Sequence, residues 1–290
     1  ALTGELIDLF GGQEDIQNRV IRHVDERTFR RDPLRAIRAA QFAARLEFAI
    51  APETMALCRT LDLDGLARER MMGEMEKALT RSRRPSRCFE ALREMGQLEP
   101  WLKEVAALIG VKQRADCHPE GDAWTHTMLV VDEAAKLRDE AKNPTGLMLA
   151  ALLHDVGKAV AMQEKDGVIH AYGHETAGVP LAEEFLRRLT GEKALCRYVL
   201  NMVELHMKPN MYAAQNSGQK AWNRLFDRSA CPEDLLLLAK ADHRGRINAA
   251  PYAETERTIR ARLSAYEEMM ARPHITGADL LARGIQPGEE

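Results

Sequence analysis

The chain has 290 residues, a formal net charge of −3, 45% hydrophobic residues and only 5% aromatics. That length supports a sizeable core and more than one domain, and the near-neutral charge excludes a wholly polybasic nucleic-acid binder. Five scattered cysteines (Cys58, Cys88, Cys117, Cys196, Cys231) without a CxxC pair exclude a disulfide framework or zinc ribbon and read as reduced thiols of a cytoplasmic protein; no apolar run has membrane-spanning length and no signal peptide is evident.

In chain order, Leu6-Ile-Asp-Leu-Phe10 followed by Gly11-Gly12 reads as a short strand and a glycine turn. From Glu14 onward the pattern is helical. Asp32-Pro33 marks a helix start, with Asp as cap and Pro in the first turn, and the apolar spacing of 34–46 predicts the helix itself. Arg35 and Arg38, three apart, share one of its faces, where they suit either an anion and a base edge or a solvated basic surface. Glu69 to Lys77 reads as a helix with internal charge pairs.

The run 146–153 is continuously apolar and reads as a buried helix. It ends in His154-Asp155-Val-Gly157-Lys158. An imidazole and a carboxylate at the end of a buried helix are costly unless paired or ligating a metal. Gly157 is read as letting the backbone turn, and Lys158 can offer an ammonium to a phosphate. Seven of the nine histidines lie between positions 118 and 243. They come in order as His118-Pro-Glu120-Gly-Asp122, His126 in the first turn of the next helix, His154-Asp155, His170 and His174 before a helix over 177–189, His206 at a helix end, and Asp242-His243. Past them, 252–272 reads as one long amphipathic helix, and 276–284 as a short helix with Thr276 as its cap.

Two sets of these motifs carry a resemblance. Asp8-Leu-Phe-Gly-Gly12, Arg22-His-Val24 and Arg31-Asp-Pro-Leu-Arg35-Ala-Ile-Arg38 are similar to class II CCA-adding tRNA nucleotidyltransferases. That resemblance implies that Asp32 and Arg35 read the base edge of CTP or ATP, with Arg38 beside the nucleotide. The chain departs from the family pattern at Arg31, where Glu is frequent, and at Leu9, where Pro is usual. The second set, His-Pro-Glu-x-Asp-x-x-x-His, His-Asp-x-Gly-Lys, His-x-x-x-His and Ala241-Asp242-His-Arg-Gly-Arg246, resembles the HD phosphohydrolase domain found in many bacterial CCA-adding enzymes.

By that resemblance His126, His154, Asp155 and Asp242 ligate a divalent metal, either Ni, Co, Mn, Fe or Mg. Lys158 steadies phosphoryl oxygens. His174 and His206 bind substrate, hold a second metal or protonate the leaving oxygen, with His170 and Arg246 as weaker candidates. The implied substrates are 2′,3′-cyclic nucleotides, 2′-phosphates and tRNA 3′ ends. The family's two-aspartate strand, which holds Mg for nucleotide addition, has no counterpart in this chain, so the polypeptide by itself is expected not to polymerise.

The expected fold is all-α: a small strand remnant at the N-terminus, an elongated multi-helix neck, an HD-type helical body and a short helical tail. The expected divisions are 1–25 for the end of a nucleotidyltransferase head, 26–100 for the neck, 101–250 for the HD body and 251–290 for the tail. The expected function is metal-dependent phosphohydrolysis within a multifunctional CCA-adding enzyme of tRNA maturation and repair, as monomer or homodimer with no membrane partner. The alternative is a tRNA-binding portion with no hydrolytic activity of its own.

Overall fold

A computed structural model describes residues 6–114, 118–165, 168–271 and 281–283. It is a helical protein with two very small sheets. The helices are α1 (Gly12–Gln17), α2 (Glu26–Arg30), α3 (Leu34–Leu46), α4 (Pro52–Cys58), α5 (Arg68–Arg81), α6 (Ser86–Glu94), α7 (Lys103–Ala106), α8 (Ala123–Leu137), α9 (Pro144–Leu153), α10 (Lys158–Ala161), α11 (His174–Leu189), α12 (Lys193–Leu205), α13 (Lys208–Ala214), α14 (Gln219–Arg228), α15 (Pro232–Arg244) and α16 (Ala253–Met270). The strands are β1 (Val20–Ile21) parallel to β2 (Ala49–Ile50), and β3 (Gln163–Lys165) antiparallel to β4 (Val168–His170).

The strand expected at Leu6 to Phe10 is not formed; strand pairing near the N-terminus begins only at Val20. Asp8 explains the difference. Its carboxylate accepts from the backbone N–H of Gly12 and Gln13, both at 2.8 Å, and so caps α1 instead of letting the chain run on extended. Further on, α3 begins where the Asp-Pro signal placed it. Asp32 Oδ1 accepts from Leu34 N at 3.3 Å, and α3 buries its apolar stripe (Leu34, Ile37, Ala40, Ala44) against α5 and α6. The long amphipathic helix appears as α16, while the short helix expected from Thr276 lies almost wholly outside the described residues.

α9 is the centre of the body. Every residue from Gly146 to Leu153 is buried, with Asn143 capping its start and Pro144 in its first turn. It packs against α5, α8, α12 and α15. A helix that is apolar all round is stable only when enclosed in this way. One apolar core runs through these contacts from Leu34 to Leu263, so the helices that resemble the neck and those of the body share a single interior. No helix among the described residues is long and apolar enough to cross a membrane. Cys58 and Cys88 are buried free thiols, and Cys196 and Cys231 half-buried ones.

Candidate metal centre

Five helix ends converge beside α9. Asp122 caps α8 by accepting from Thr125 N at 2.9 Å, which places His126 one turn into the helix. His154 and Asp155 leave the end of α9, and Lys158 opens α10. His174 opens α11, His206 follows the last residue of α12, and Asp242 lies in the last turn of α15. All six of these, His126, His154, Asp155, His174, His206 and Asp242, are buried, as is Lys158.

Gly157 brings α11 into this arrangement, and not by the turn expected of it. Its φ is −66°, open to any residue. A Cβ there would lie 2.0 Å from the carbonyl oxygen of His174 and 2.5 Å from Gly178 N. The glycine is required because the start of α11 passes directly over it.

The imidazoles are held in one tautomer. His154, His174 and His206 each donate Nδ1–H to a carbonyl three residues back: Ala151 at 2.8 Å, Ala171 at 2.8 Å and Val203 at 2.7 Å. A carbonyl only accepts, so in the neutral ring each Nε2 faces the centre as a lone pair. His126 is oriented instead by a carboxylate, with Nδ1 2.8 Å from Glu120 Oε1. His126 Nε2 lies 3.0 Å from Asp242 Oδ1 and 3.7 Å from Asp155 Oδ2; His154 Nε2 is 3.1 Å from the same Asp155 oxygen. Asp155 Oδ1 faces His174 Nε2 at 3.2 Å and His206 Nε2 at 3.8 Å. Lys158 Nζ stands 2.6 Å from Asp155 Oδ2 and donates to Gln113 Oε1 at 2.6 Å. Arg246 reaches Asp242 at 3.5 Å.

These groups fit a metal on physical grounds. His154 Nε2 and Asp155 Oδ2 are buried with no hydrogen bond of acceptable angle, although the Lys158 ammonium is ion-paired to that oxygen. Nε2 of His174 and Nε2 of His206 are 3.4 Å apart. Two lone pairs at that distance repel unless a cation or proton lies between them. Ligand atoms ~2.1 Å from an ion and at right angles stand ~3 Å apart, the spacing seen here. The donors form two groups, His126, His154 and Asp242 on one side and Asp155, His174 and His206 on the other. A mixed nitrogen and oxygen set without thiolate suits Ni, Co, Mn, Fe or Mg.

The electrostatics agree. Burial pushes both Asp155 and Asp242 up, yet the surrounding histidines with Lys158 or Arg246 outweigh it and hold both well below the usual carboxylate range. Burial, with the charges of His154 and His174, brings His206 down to about 3, so it is neutral at pH 7. In His174 burial is outweighed by the Asp155 carboxylate, and in His126 by Asp242 and Glu120, so both are raised. Glu120, despite burial, is brought down to about 2 by hydrogen bonds from His126 and His118.

The structure therefore brings together the seven residues that the HD-like motifs singled out. His170 and Arg246 line the pocket above them, and His243 turns away to the carbonyl of Ala250 at 2.8 Å. Glu120 and Gln113 are contributions the motif reading missed. Glu120 stood in plain view in His-Pro-Glu, but Gln113 had no local signal at all.

The second predicted site is different. Asp32 pairs with Arg70 at 2.7 Å, both partly exposed, and the Arg35 guanidinium donates to the carbonyl of Thr28. Arg35 and Arg38 line a pocket with Phe10, Phe29 and Phe42, which Asp32 does not enter. Arg38 also sits over the Phe42 ring at 5.8 Å.

Comparison with known proteins follows the same division. Residues 123–263 match the HD domain, and residues 47–109 match the probable RNA and SrmB-binding site of polymerase A. The multifunctional CCA protein of Burkholderia cenocepacia strain HI2424 is 40% identical over 298 aligned residues, covering 98% of this chain and 68% of that protein. The chain belongs to the multifunctional CCA protein family. Its relative from Actinobacillus pleuropneumoniae serotype 5b is 37% identical over 260 residues, 84% of this chain and 61% of the relative, so the chain spans about three fifths of that protein's length. Among solved structures, a CCA-adding enzyme in complex with ATP aligns over 98% of this chain and 58% of its own, with a TM-score of 0.60 at 15% identity, a likeness of fold.

Proposed function

We propose that this portion of a multifunctional CCA protein is a divalent-metal-dependent phosphohydrolase acting on 2′,3′-cyclic nucleotides, 2′-phosphates and tRNA 3′ ends. The observation that carries the reading is the convergence of four imidazole Nε2 atoms and two carboxylates, of which Asp155, His174 and Asp242 line a pocket together with Lys158 and Arg246. A divalent ion held by His126, His154, Asp155 and Asp242 would supply an acidified water as nucleophile and neutralise charge developing on phosphorus.

The chain's own groups do the rest. Lys158, steadied by Gln113, presents an ammonium beside Asp155 for a phosphoryl oxygen. Arg246, half-buried at the pocket wall, adds a second cation. His174 keeps a raised pKa and a protonatable Nε2, which suits it to protonate the leaving oxygen. His206 stays neutral and offers a lone pair, so it acts as a ligand and not as an acid. Asp155, His174 and His206 together suit a second ion, and binding it would take the His174 Nε2 lone pair and exclude the acid role, so the two roles of His174 are alternatives. Glu120 positions His126.

For the whole protein we propose CTP and ATP near Asp32, Arg35 and Arg38, Mg in a nucleotidyltransferase head, tRNA along the neck, and a cytoplasmic location as monomer or homodimer. The working divisions are 1–25, 26–100, 101–250 and 251–290.

The test is hydrolysis of 2′,3′-cyclic AMP by metal-stripped protein resupplied in turn with Ni, Co, Mn or Mg. Metal-dependent turnover that disappears in Asp155→Ala is expected. A folded protein inactive with every metal would overturn the reading. The second reading, a tRNA-holding portion without hydrolysis, is favoured by the RNA-binding match over 47–109; tRNA retention by such an inert sample would establish it.

A further inference from the structure

The pocket above the metal centre has an aromatic wall that the chemistry at its floor does not use. β4 ends at His170, and the loop from there to α11 carries Tyr172. The two rings stack, with centroids 4.8 Å apart and planes 14° from parallel. His170 is tied into the hairpin opposite Gln163, so the pair has a fixed back. Tyr172 is 82% exposed, more than any other large hydrophobic side chain among the described residues. Its outer face is thus open to solvent at the rim of the cavity that contains Asp155, Lys158 and Arg246.

Size decides what reaches that face. The cavity holds about 220 Å³, less than the ~300–1,000 Å³ that encloses a drug-sized ligand. A phosphate and its sugar fill such a space, and an attached base is left at the rim. An aromatic ring there accepts any base, because every base has a π face.

We infer that Tyr172, backed by His170, is the stacking platform for the nucleobase of a substrate whose phosphate lies at the metal centre. The inference rests on the phosphohydrolase reading and narrows it: the substrate class is nucleoside phosphates, free or at a chain end, with little preference among bases. Phosphate esters without a base lose this contact. Tyr172 is a specificity residue here, not part of the bond-breaking machinery. Its exposure means that substitution leaves the core untouched.

The experiment uses the whole chain with saturating Mn²⁺. Calorimetry compares binding of 2′-AMP, in its non-hydrolysable phosphonate form, and inorganic phosphate to wild type, Tyr172→Phe and Tyr172→Ala. Wild type and Tyr172→Phe are expected to prefer 2′-AMP by about tenfold or more, and Tyr172→Ala by about twofold at most. With 2′,3′-cyclic AMP, Tyr172→Ala is expected to raise KM about tenfold and leave kcat within about twofold. Equal binding of the two ligands by wild type would overturn the inference, as would a preference that survives in Tyr172→Ala; in either case Tyr172 faces something other than a base. The two readings fail separately. A Tyr172-dependent preference without turnover sinks hydrolysis and keeps the platform. Turnover with a KM indifferent to Tyr172 keeps hydrolysis and sinks the platform.

Discussion

The HD centre and the Asp32–Arg38 region were both picked out by motif, and the fold treats them in opposite ways. In the HD centre the candidate metal-binding groups are buried, the outer nitrogens of the histidines are tied to carbonyls or to Glu120, and the inner atoms face one another. Around Asp32 the charged groups are partly exposed and already satisfied, Asp32 by Arg70 and Arg35 by Thr28. Low dielectric makes the first cluster sensitive to the loss of any member. Water screens the second, so its side chains can exchange partners at little cost. A site that carries its own ligands is organised before anything binds; a site whose charges are paired internally becomes one only when a ligand competes for them.

The largest way to break this contrast is Asp155→Ala. Asp155 faces both donor groups, and even outer-sphere changes cost about 10–100-fold. Metal-dependent hydrolysis should therefore fall by more than about 100-fold, with bound metal, measured after dialysis, falling in parallel. Glu120→Gln comes next. The ring of His126 loses its charged orienting partner, so metal affinity should drop by about 10–100-fold in a calorimetric titration while the melting temperature changes little. An unchanged affinity would show that the helix alone orients His126.

Gly157→Ala tests the backbone contact between α10 and α11. The clash with the His174 carbonyl should cost about 1–3 kcal/mol in urea unfolding, and metal binding should weaken because His174 is displaced. The same substitution at Gly65, whose added Cβ meets nothing but whose φ is +75°, is the control for strain without a clash.

The pH dependence of the metal-free protein is also set by the buried cluster. His118 and His206 are depressed to about 4 and about 3, each chiefly by burial. The unfolded chain protonates them near pH 6.5 and the folded chain does not, so stability should decline as pH falls below about 6.5, by up to ~1.4 kcal/mol per unit per group. His126 and His174 are raised, so their contribution is complete below about pH 6.5 and is lost as pH rises through their folded values. Urea midpoints should peak near pH 6.5, and His206→Gln should flatten the acid limb. A profile with no acid limb would contradict the burial of neutral imidazoles.

The smallest effect belongs to the exposed region. Arg70→Ala removes the partner of Asp32, yet the pair is partly exposed and should change unfolding stability by about 1 kcal/mol or less. Hydrolysis at the HD centre should be unaffected. A larger loss would mean that the two regions are more tightly coupled than their shared core suggests.

Sequence by itself determined which residue types meet and on what kind of element. His154-Asp155 follows an apolar run that has to be enclosed, and the order of the other histidines and Asp242 places one ligand at or near the end of each of several helices. It also marked the start of α3 and the extent of α16, because caps, Pro and apolar period are local properties. Local pattern misled at Leu6 to Phe10, where Asp8 captured the N–H groups of α1.

Only the tertiary structure decided the rest. It tied Gln113 to Lys158 across 45 positions, made Glu120 the orienter of His126, and set Tyr172 on His170 at the rim. It also gave Gly157 its real reason, a helix passing overhead. Contacts of that kind depend on distances between elements far apart in the chain, and neither residue type nor period encodes those distances.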